Sequence, residues 1–255
     1  MLIAERYERI VQLVNERGSI RVAELSSLCQ VTEETIRRDL DRLETLGRLR
    51  RSHGGAVSVK DQPVAQVEVS YAEREIQNVE HKKQIAEAAV QLIEPKDRIL
   101  LDASTTAWYM ARSLPDIPLT VLTNSIRVAV TLASKDKIDV ISTGGSLAQQ
   151  SLSFVGPLAE RALETYYVNK LFVSCKGVHP DRGISESNES QARIKQNMLK
   201  IADQTILLAD ASKFGVQAFA HVGDWSQIDH VISDERLDAR LRDRISQRCQ
   251  SLTLV

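Results

Sequence analysis

The chain has 255 residues, a formal net charge of −1, 43% hydrophobic residues and 26% charged residues. That length holds a small domain plus one of about 180 residues, and near-neutrality means that any affinity for nucleic acid comes from a local patch. No apolar run approaches the ~20 residues of a membrane span, the N-terminus MLIAERYERI is charged too early for a signal peptide, and Cys29, Cys175 and Cys249 are too widely spaced for a disulfide framework or a zinc site. A cytoplasmic protein without metal or other cofactor is expected.

Tyr7, Ile10, Val11 and Val14 recur at helical spacing, and Gly18 closes that segment. Val22, Leu25, Leu28 and Cys29 make a second, shorter stripe, with a break at Gln30-Val31. The third helix opens on Thr32 as cap, with Glu33 and Glu34 opposing the helix dipole, and closes at Gly47. Its apolar stripe is Ile36, Leu40 and Leu43; Glu34, Arg38, Asp41, Arg42 and Thr45 lie opposite, with Thr35 and Arg37 on the flanks. Arg48 to Arg51 then reads as a strand, His53-Gly54-Gly55 as a turn that permits positive φ, and Ala56 to Val59 as the return strand.

Three helices and a basic two-stranded wing are the parts of a winged helix-turn-helix. Residues 1–60 carry 11 Lys+Arg against 9 Asp+Glu, so the signal lies in residues 37–51, with six Arg against three acids. A basic helix face can be merely solvated, but the order of stripe, turn, stripe, basic face and Gly-Gly wing points to double-stranded DNA. The residues expected at DNA are Thr32, Glu34, Thr35, Arg37, Arg38, Arg42, Arg50, Arg51, His53 and Gly54. Thr35 and Arg38 are placed for base edges, and Arg37, Arg50, Arg51 and His53 for phosphates.

Thr35-Ile36-Arg37-Arg38-Asp39-Leu40, followed by Arg51-Ser52-His53-Gly54-Gly55-Ala56, resembles the DNA-binding signature of DeoR-type bacterial sugar-operon regulators. The resemblance extends over almost the whole chain.

Residues 61–76 read as a linker between a DNA-binding domain at 1–60 and an α/β domain at 77–255. A helix is expected from Asn78 to Ile93, with Ile85, Ala86, Ala89 and Ile93 buried. Beyond it, strands at Arg98–Leu101, Leu119–Leu122, Ile138–Ile141, Leu171–Ser174, Thr205–Ala209, His230–Ile232 and Leu252–Val255 alternate with helices over much of the length. That alternation predicts a mostly parallel sheet covered on both faces, with ligands outside the carboxyl ends of its strands.

Those ends carry Asp102-Ala103-Ser104-Thr105-Thr106, Thr123-Asn124-Ser125, Thr143-Gly144-Gly145, Ser174-Cys175-Lys176-Gly177 and Asp210-Ala211-Ser212-Lys213. Hydroxyl residues at strand-to-helix turns make anion sites, although any one of them can simply cap its helix. Together they favour a polyhydroxy, phosphorylated ligand. Glu186 and Glu189, three apart, can share a helical face. His81, His179, His221 and His230 show no metal-ligand spacing, and Trp108 and Trp225 read as packing residues.

The resemblance implies a C-terminal domain like ribose-5-phosphate isomerase, with catalysis lost and ligand binding kept. It places the phosphate loop at Asp102, Ser104, Thr105 and Thr106, and further ligand contacts at Thr123, Asn124, Ser125, Gly144, Gly145, Lys176, Glu189, Asp210 and Lys213. The first loop departs from the family's Asp-x-Gly-Thr-Thr by carrying Ser104, whose Cβ alters backbone approach to a phosphate. Residues Leu101 to Tyr109 look most like regulators of deoxyhexose (fucose or rhamnose) operons. The expectation is a repressor, homodimeric or homotetrameric, released by a phosphorylated sugar. The alternative is a sugar-phosphate isomerase carrying a DNA-binding module. No catalytic residue is assigned.

Overall fold

The structure is a computed structural model that describes residues 3–45, 48–52, 54–58 and 69–255. The expected helix stop at Gly47, His53 of the wing turn and the end of the return strand at Val59 lie outside the described residues. The chain divides into two compact units, Met1–Val69 and Ser70–Val255.

The first unit contains α1 (Ile3–Arg17), β1 (Ser19–Arg21), α2 (Val22–Cys29), α3 (Glu33–Thr45), β2 (Arg50–Ser52) and β3 (Gly55–Val57). Its core is formed by Ile10 and Val14 of α1, Leu25 of α2 and Ile36, Leu40 and Leu43 of α3, all fully buried. Leu28, expected in the α2 stripe, is instead 42% exposed. A helix of eight residues turns only a narrow face inward, and Val22, Leu25 and Cys29 fill it. Gln30 adopts φ 54° to end α2, and the Ser26 hydroxyl donates to the Val31 carbonyl across the turn.

The wing has a strand that the hydropathy pattern did not reveal. β1 pairs antiparallel with β3, which pairs antiparallel with β2. Gly55 sits at this junction because a Cβ there would meet the Ile20 carbonyl oxygen at 2.2 Å. The buried Arg6 guanidinium is bonded to both carboxylate oxygens of Asp39, at 2.6 and 3.2 Å, tying α1 to α3.

The second unit opens with α4 (Tyr71–Ile76), inside the stretch read as linker, followed by α5 (Val79–Val90). The six residues of α4 are too few to show helical periodicity. Then come β4 (Arg98–Leu101), α6 (Thr105–Ser113), β5 (Leu119–Thr123), α7 (Ile126–Leu132), β6 (Ile138–Ser142), β7 (Ser146–Ala148), β8 (Ser153–Val155) and α8 (Pro157–Leu163). They are followed by β9 (Val168–Val173), β10 (Gly177–His179), β11 (Gly183–Glu186), α9 (Glu189–Lys200), β12 (Ala202–Leu208), β13 (Ala220–Gly223), β14 (His230–Ser233), α10 (Ala239–Ser246) and β15 (Ser251–Leu254).

Seven of these strands form one sheet in the order β15-β14-β12-β9-β4-β5-β6, every pair parallel. Strand order reverses between β4 and β9, the position at which such sheets open a crevice at their carboxyl ends. Helices cover both faces, so Ile99, Leu100, Leu101, Leu171, Phe172 and Val173 are all fully buried. A small antiparallel sheet, β10-β11-β13, and the hairpin β7-β8 attach beyond the strand ends. Neither was read from the sequence; their strands have three or four residues and do not alternate with helices.

Candidate functional site

On the first unit, the Thr32 hydroxyl accepts from the Thr35 backbone N–H at 3.2 Å and shares a 2.9 Å hydrogen bond with the Thr35 hydroxyl, starting α3. Arg37 and Arg38 project from the exposed face. Arg37 pairs with Glu33 at 2.6 Å and Arg38 with Glu34 at 3.3 Å. Glu34 thus serves its own helix's arginines. The Arg38 side chain is 79% exposed, and Arg42 and Arg50 are also exposed. Arg51 is tied back to α3: its guanidinium pairs with Asp41 and its backbone N–H donates to Glu44 at 2.7 Å. Gly54 takes φ 85°, which favours glycine at the wing tip, and its carbonyl accepts from Val22 N–H. Arg48, in the same basic run, forks onto Glu8 of α1 at 2.6 and 2.8 Å.

In the second unit, the strand ends on either side of the reversal are laced together. Asp102, after β4, is fully buried; it accepts from the Ser104 and Ser174 backbone N–H groups, each at 3.0 Å. Lys195 of α9 lies 3.1 Å from Asp102 and 2.5 Å from Glu186, and donates to the Ser174 carbonyl. Burial alone would discharge this ammonium, but the Glu186 and Asp102 carboxylates outweigh it and raise its pKa. The sequence offered no signal for Lys195, which looks like one more basic residue on a helix. Glu186 and Glu189 do not share a helical face: Glu186 ends β11 and is buried, whereas Glu189 opens α9 and is exposed, with Asn188 capping the helix between them.

Several hydroxyls of the motif are spent on the scaffold. Ser104 caps α6 by accepting from Ala107 N–H at 3.0 Å, and Ser125 caps α7 by accepting from Val128 N–H at 3.2 Å. Thr123 donates to the Leu101 carbonyl at 2.7 Å. Ser104 therefore supplies a helix cap that a glycine in its place has no side chain to provide. Two neighbours are different. The Thr106 hydroxyl and the Asn124 side-chain oxygen are buried beside these turns with no hydrogen-bond partner among the described residues. Thr105 is buried next to Thr106. Gly144 and Gly145 follow β6, two strands from β4, or about 10 Å at ordinary strand spacing. At Gly145 the φ is 115° and a Cβ would meet Ala159 Cβ at 2.9 Å, so its need is to turn the chain toward β7 and α8.

Cations gather over the same edge. Lys213 donates to the Ser174 hydroxyl at 2.7 Å and the Cys175 carbonyl at 2.8 Å. Lys82 of α5 is buried and donates to the Arg74 carbonyl. Burial lowers the Lys82 pKa to about 8; repulsion from Lys213 and Arg74 adds to this and Asp210 opposes it. Lys176, exposed at the end of β9, is lowered by partial desolvation and by Lys213 and Arg74, against Glu186 and Asp210. Asp210 is itself held by Asn78 at 3.0 Å. Asp234, after β14, accepts from the Ala211 N–H at 2.8 Å and so fixes the loop that carries Lys213. Lys82, Lys195 and Asp234 were missed because each reaches the site from a distant part of the chain.

Cys175 is buried and its thiol is pushed up to about 12 by that burial, so it is a packing residue. Trp108 and Trp225 also pack, their ring N–H groups donating to Thr131 and to the His179 carbonyl. Among the described residues, no three His, Cys, Asp or Glu side chains are grouped to hold a metal ion, and no helix is long and apolar enough to cross a membrane. A separate concavity of about 350 Å³ lies against β10, β11 and β13, and none of the strand-end residues lines it.

Residues 6–62 match the family described as DeoR-like helix-turn-helix domain, and residues 77–235 match the DeoR C terminal sensor domain. The chain is 56% identical to the HTH-type transcriptional regulator YulB of Bacillus subtilis, over 93% of this chain and 91% of that one. It is 38% identical to the L-fucose operon activator of Haemophilus influenzae, over 95% and 96% of the two chains. Among solved structures, ribose 5-phosphate isomerase A of Methanocaldococcus jannaschii aligns at 16% identity and TM-score 0.39, over 52% of this chain and 53% of that one, a level that says nothing about activity.

Proposed function

The chain belongs to the DeoR family of helix-turn-helix transcriptional regulators, and on that premise we propose that it is a repressor whose hold on operator DNA is released by a phosphorylated sugar. It is a DNA-binding regulator and not an enzyme, so the isomerase alternative falls. The observation that carries the ligand reading is the set of cations at the strand ends. Lys213 donates to Ser174 at these strand ends, Lys82 and Lys176 have their pKa lowered first by burial and then by Lys213, and the Thr106 hydroxyl and Asn124 oxygen are buried at the neighbouring turns with no hydrogen-bond partner among the described residues. A phosphate dianion at the start of α6 adds negative charge near Lys82 and Lys213 and offers hydrogen-bond partners to the two buried polar atoms.

Asp210 and Glu189 are the acceptors assigned to sugar hydroxyls; Asp102 serves only through its grip on the Ser104 and Ser174 backbone. The Haemophilus relative, named for fucose, favours a deoxyhexose phosphate. On DNA, α3 enters the major groove with Thr35 and Arg38 toward base edges, while Arg37, Arg50 and Arg51 meet phosphates. The second unit assembles the chain into a dimer or tetramer, matching a two-half-site operator.

The test is calorimetry and gel-shift with fuculose-1-phosphate, rhamnulose-1-phosphate and the free sugars, on wild type and Thr106→Val. One of the phosphates should bind and release DNA, and its free sugar should not. Thr106→Val should bind the phosphate at least about tenfold more weakly while keeping operator affinity. Equal release by the free sugar, or a normal response from Thr106→Val, would sink the phosphate site. A phosphate that tightens operator binding instead would overturn release as the response to the effector.

A further inference from the structure

The last turn of α4 leaves carbonyls without helical donors, as every helix end does. Here two of them are taken by side chains from the helices around the strand ends. Lys82 of α5 donates to the Arg74 carbonyl, and the Tyr109 hydroxyl of α6 donates to the Glu75 carbonyl at 3.1 Å. The Glu75 carboxylate pairs with Arg127 of α7 at 2.9 Å, and the Arg127 guanidinium lies over the rings of Tyr71 and Trp108 at 5.5 and 4.8 Å. At the other end, Tyr71 N–H donates to the Gln150 carbonyl at 2.7 Å and the tyrosine ring is buried. A helix of six residues has no stability of its own. Its conformation is therefore set by α5, α6 and α7, and α6 is the helix whose N-terminal turn carries the ligand-binding threonines.

Lys82 belongs to both systems. Its ammonium has three N–H donors, and one of them is used on the Arg74 carbonyl. It is buried among Arg74 and Lys213, with Asp210 as the nearby carboxylate. An anion at the strand ends can take the remaining donors.

We propose that Lys82 is shared between the bound phosphate and the C-terminal carbonyl of α4, which makes α4 the element that carries effector occupancy to the chain leading into the DNA-binding unit. This rests on the phosphate-site reading above. The phosphate adds negative charge and acceptors to those of Asp210, so the ammonium is held in one position. A fixed ammonium grips the Arg74 carbonyl, and α4 is held more firmly against α6 and α7. Ser70, its cap, is joined through residues 58–69 to the wing strand β3, so ordering α4 fixes where that connection begins. A ligand shifts the DNA-binding equilibrium only by preferring one arrangement, and α4 is where this preference is expressed.

Hydrogen exchange on the full-length protein, read on a peptide covering residues 70–78, tests this with inorganic phosphate against chloride at matched ionic strength. Phosphate binding is followed in parallel by calorimetry. In wild type, phosphate should slow exchange across 70–78 by about tenfold. Lys82→Met should still bind phosphate through the α6 turn and Lys213, more weakly, but with no slowing at 70–78. Tyr109→Phe removes the other carbonyl bond and should speed exchange there in both conditions and, by linkage, weaken phosphate binding slightly although it removes no group from the phosphate site. Phosphate binding to wild type with unchanged or faster exchange at 70–78 overturns the proposal while leaving the phosphate site standing. The same slowing in Lys82→Met also overturns it. Absence of any phosphate binding overturns the site and the coupling together. Unchanged or faster exchange in wild type overturns the proposal even if the Lys82→Met protein does not fold.

Discussion

On α3, Arg37 and Arg38 are paired with Glu33 and Glu34 one turn back on the same helix, and Arg38 remains 79% exposed. At the strand ends, Lys195 is buried between Asp102 and Glu186, side chains brought from three different elements. The first arrangement is cheap to form and easy to undo, as a surface that meets a charged partner requires. Exposed pairs contribute little, so a DNA phosphate can displace the glutamates at small cost. The second is locked: a buried cation between two carboxylates keeps its shape because every alternative leaves a charge without a partner. The contrast separates residues that hold a site together from those left available to a ligand, and it can be broken at several points.

The largest effect is expected from Lys195→Met. It leaves the Asp102 and Glu186 carboxylates buried against each other, and should cost the α/β unit about 3–5 kcal/mol, measured by denaturant unfolding. A loss below about 1 kcal/mol would mean that this cluster does not organise the strand ends.

Arg38→Ala should leave stability within about 0.5 kcal/mol of wild type, because the side chain is mostly exposed. It should nonetheless cost ~1–3 kcal/mol in operator binding and relax specificity at one position. Arg51→Ala should instead weaken all DNA sequences alike and make the log–log salt slope shallower by about one unit. If both variants bind like wild type in a salt titration, α3 and the wing are not the DNA surface.

A pH titration sharpens the comparison on the ligand side. Lys82, with a pKa near 8 in the free protein, must be charged to hold an anion. Phosphate affinity should therefore be full between the phosphate's own second pKa, about 6, and that value, and fall as pH rises through it, by up to about tenfold per pH unit. Binding at pH 8.5 should take up a proton, seen as a dependence of calorimetric heat on buffer ionisation enthalpy. Lys82→Met should flatten this alkaline limb. A flat wild-type profile would exclude Lys82 from the anion site.

The smallest effect should be Glu33→Gln. It removes an exposed pair at i,i+4 and should change stability by only ~0.5 kcal/mol. A change of several kcal/mol would show that the α3 surface is locked in the same way as the buried cluster.

The local parts follow from neighbouring residues in the chain. Thr32 caps α3, Ile36, Leu40 and Leu43 face inward, and the strands that alternate with helices form a parallel sheet, because periodicity and capping are carried by residues close together in the chain. The sequence also located the strand ends where hydroxyls and lysines meet. How those residues divide their work emerges from the folded arrangement. Asp102, Ser104, Thr123 and Ser125 turn out to be bonded into the scaffold, while Thr106 and Asn124 each keep a polar atom unpaired among the described residues. Lys82, Lys195 and Asp234 enter from α5, α9 and the end of β14, and α4 occupies part of the stretch that reads as a linker. A hydrogen bond or ion pair depends on distance in space, and folding brings Lys82 beside Lys213 and Lys195 beside Asp102 with no pattern in the sequence to announce it.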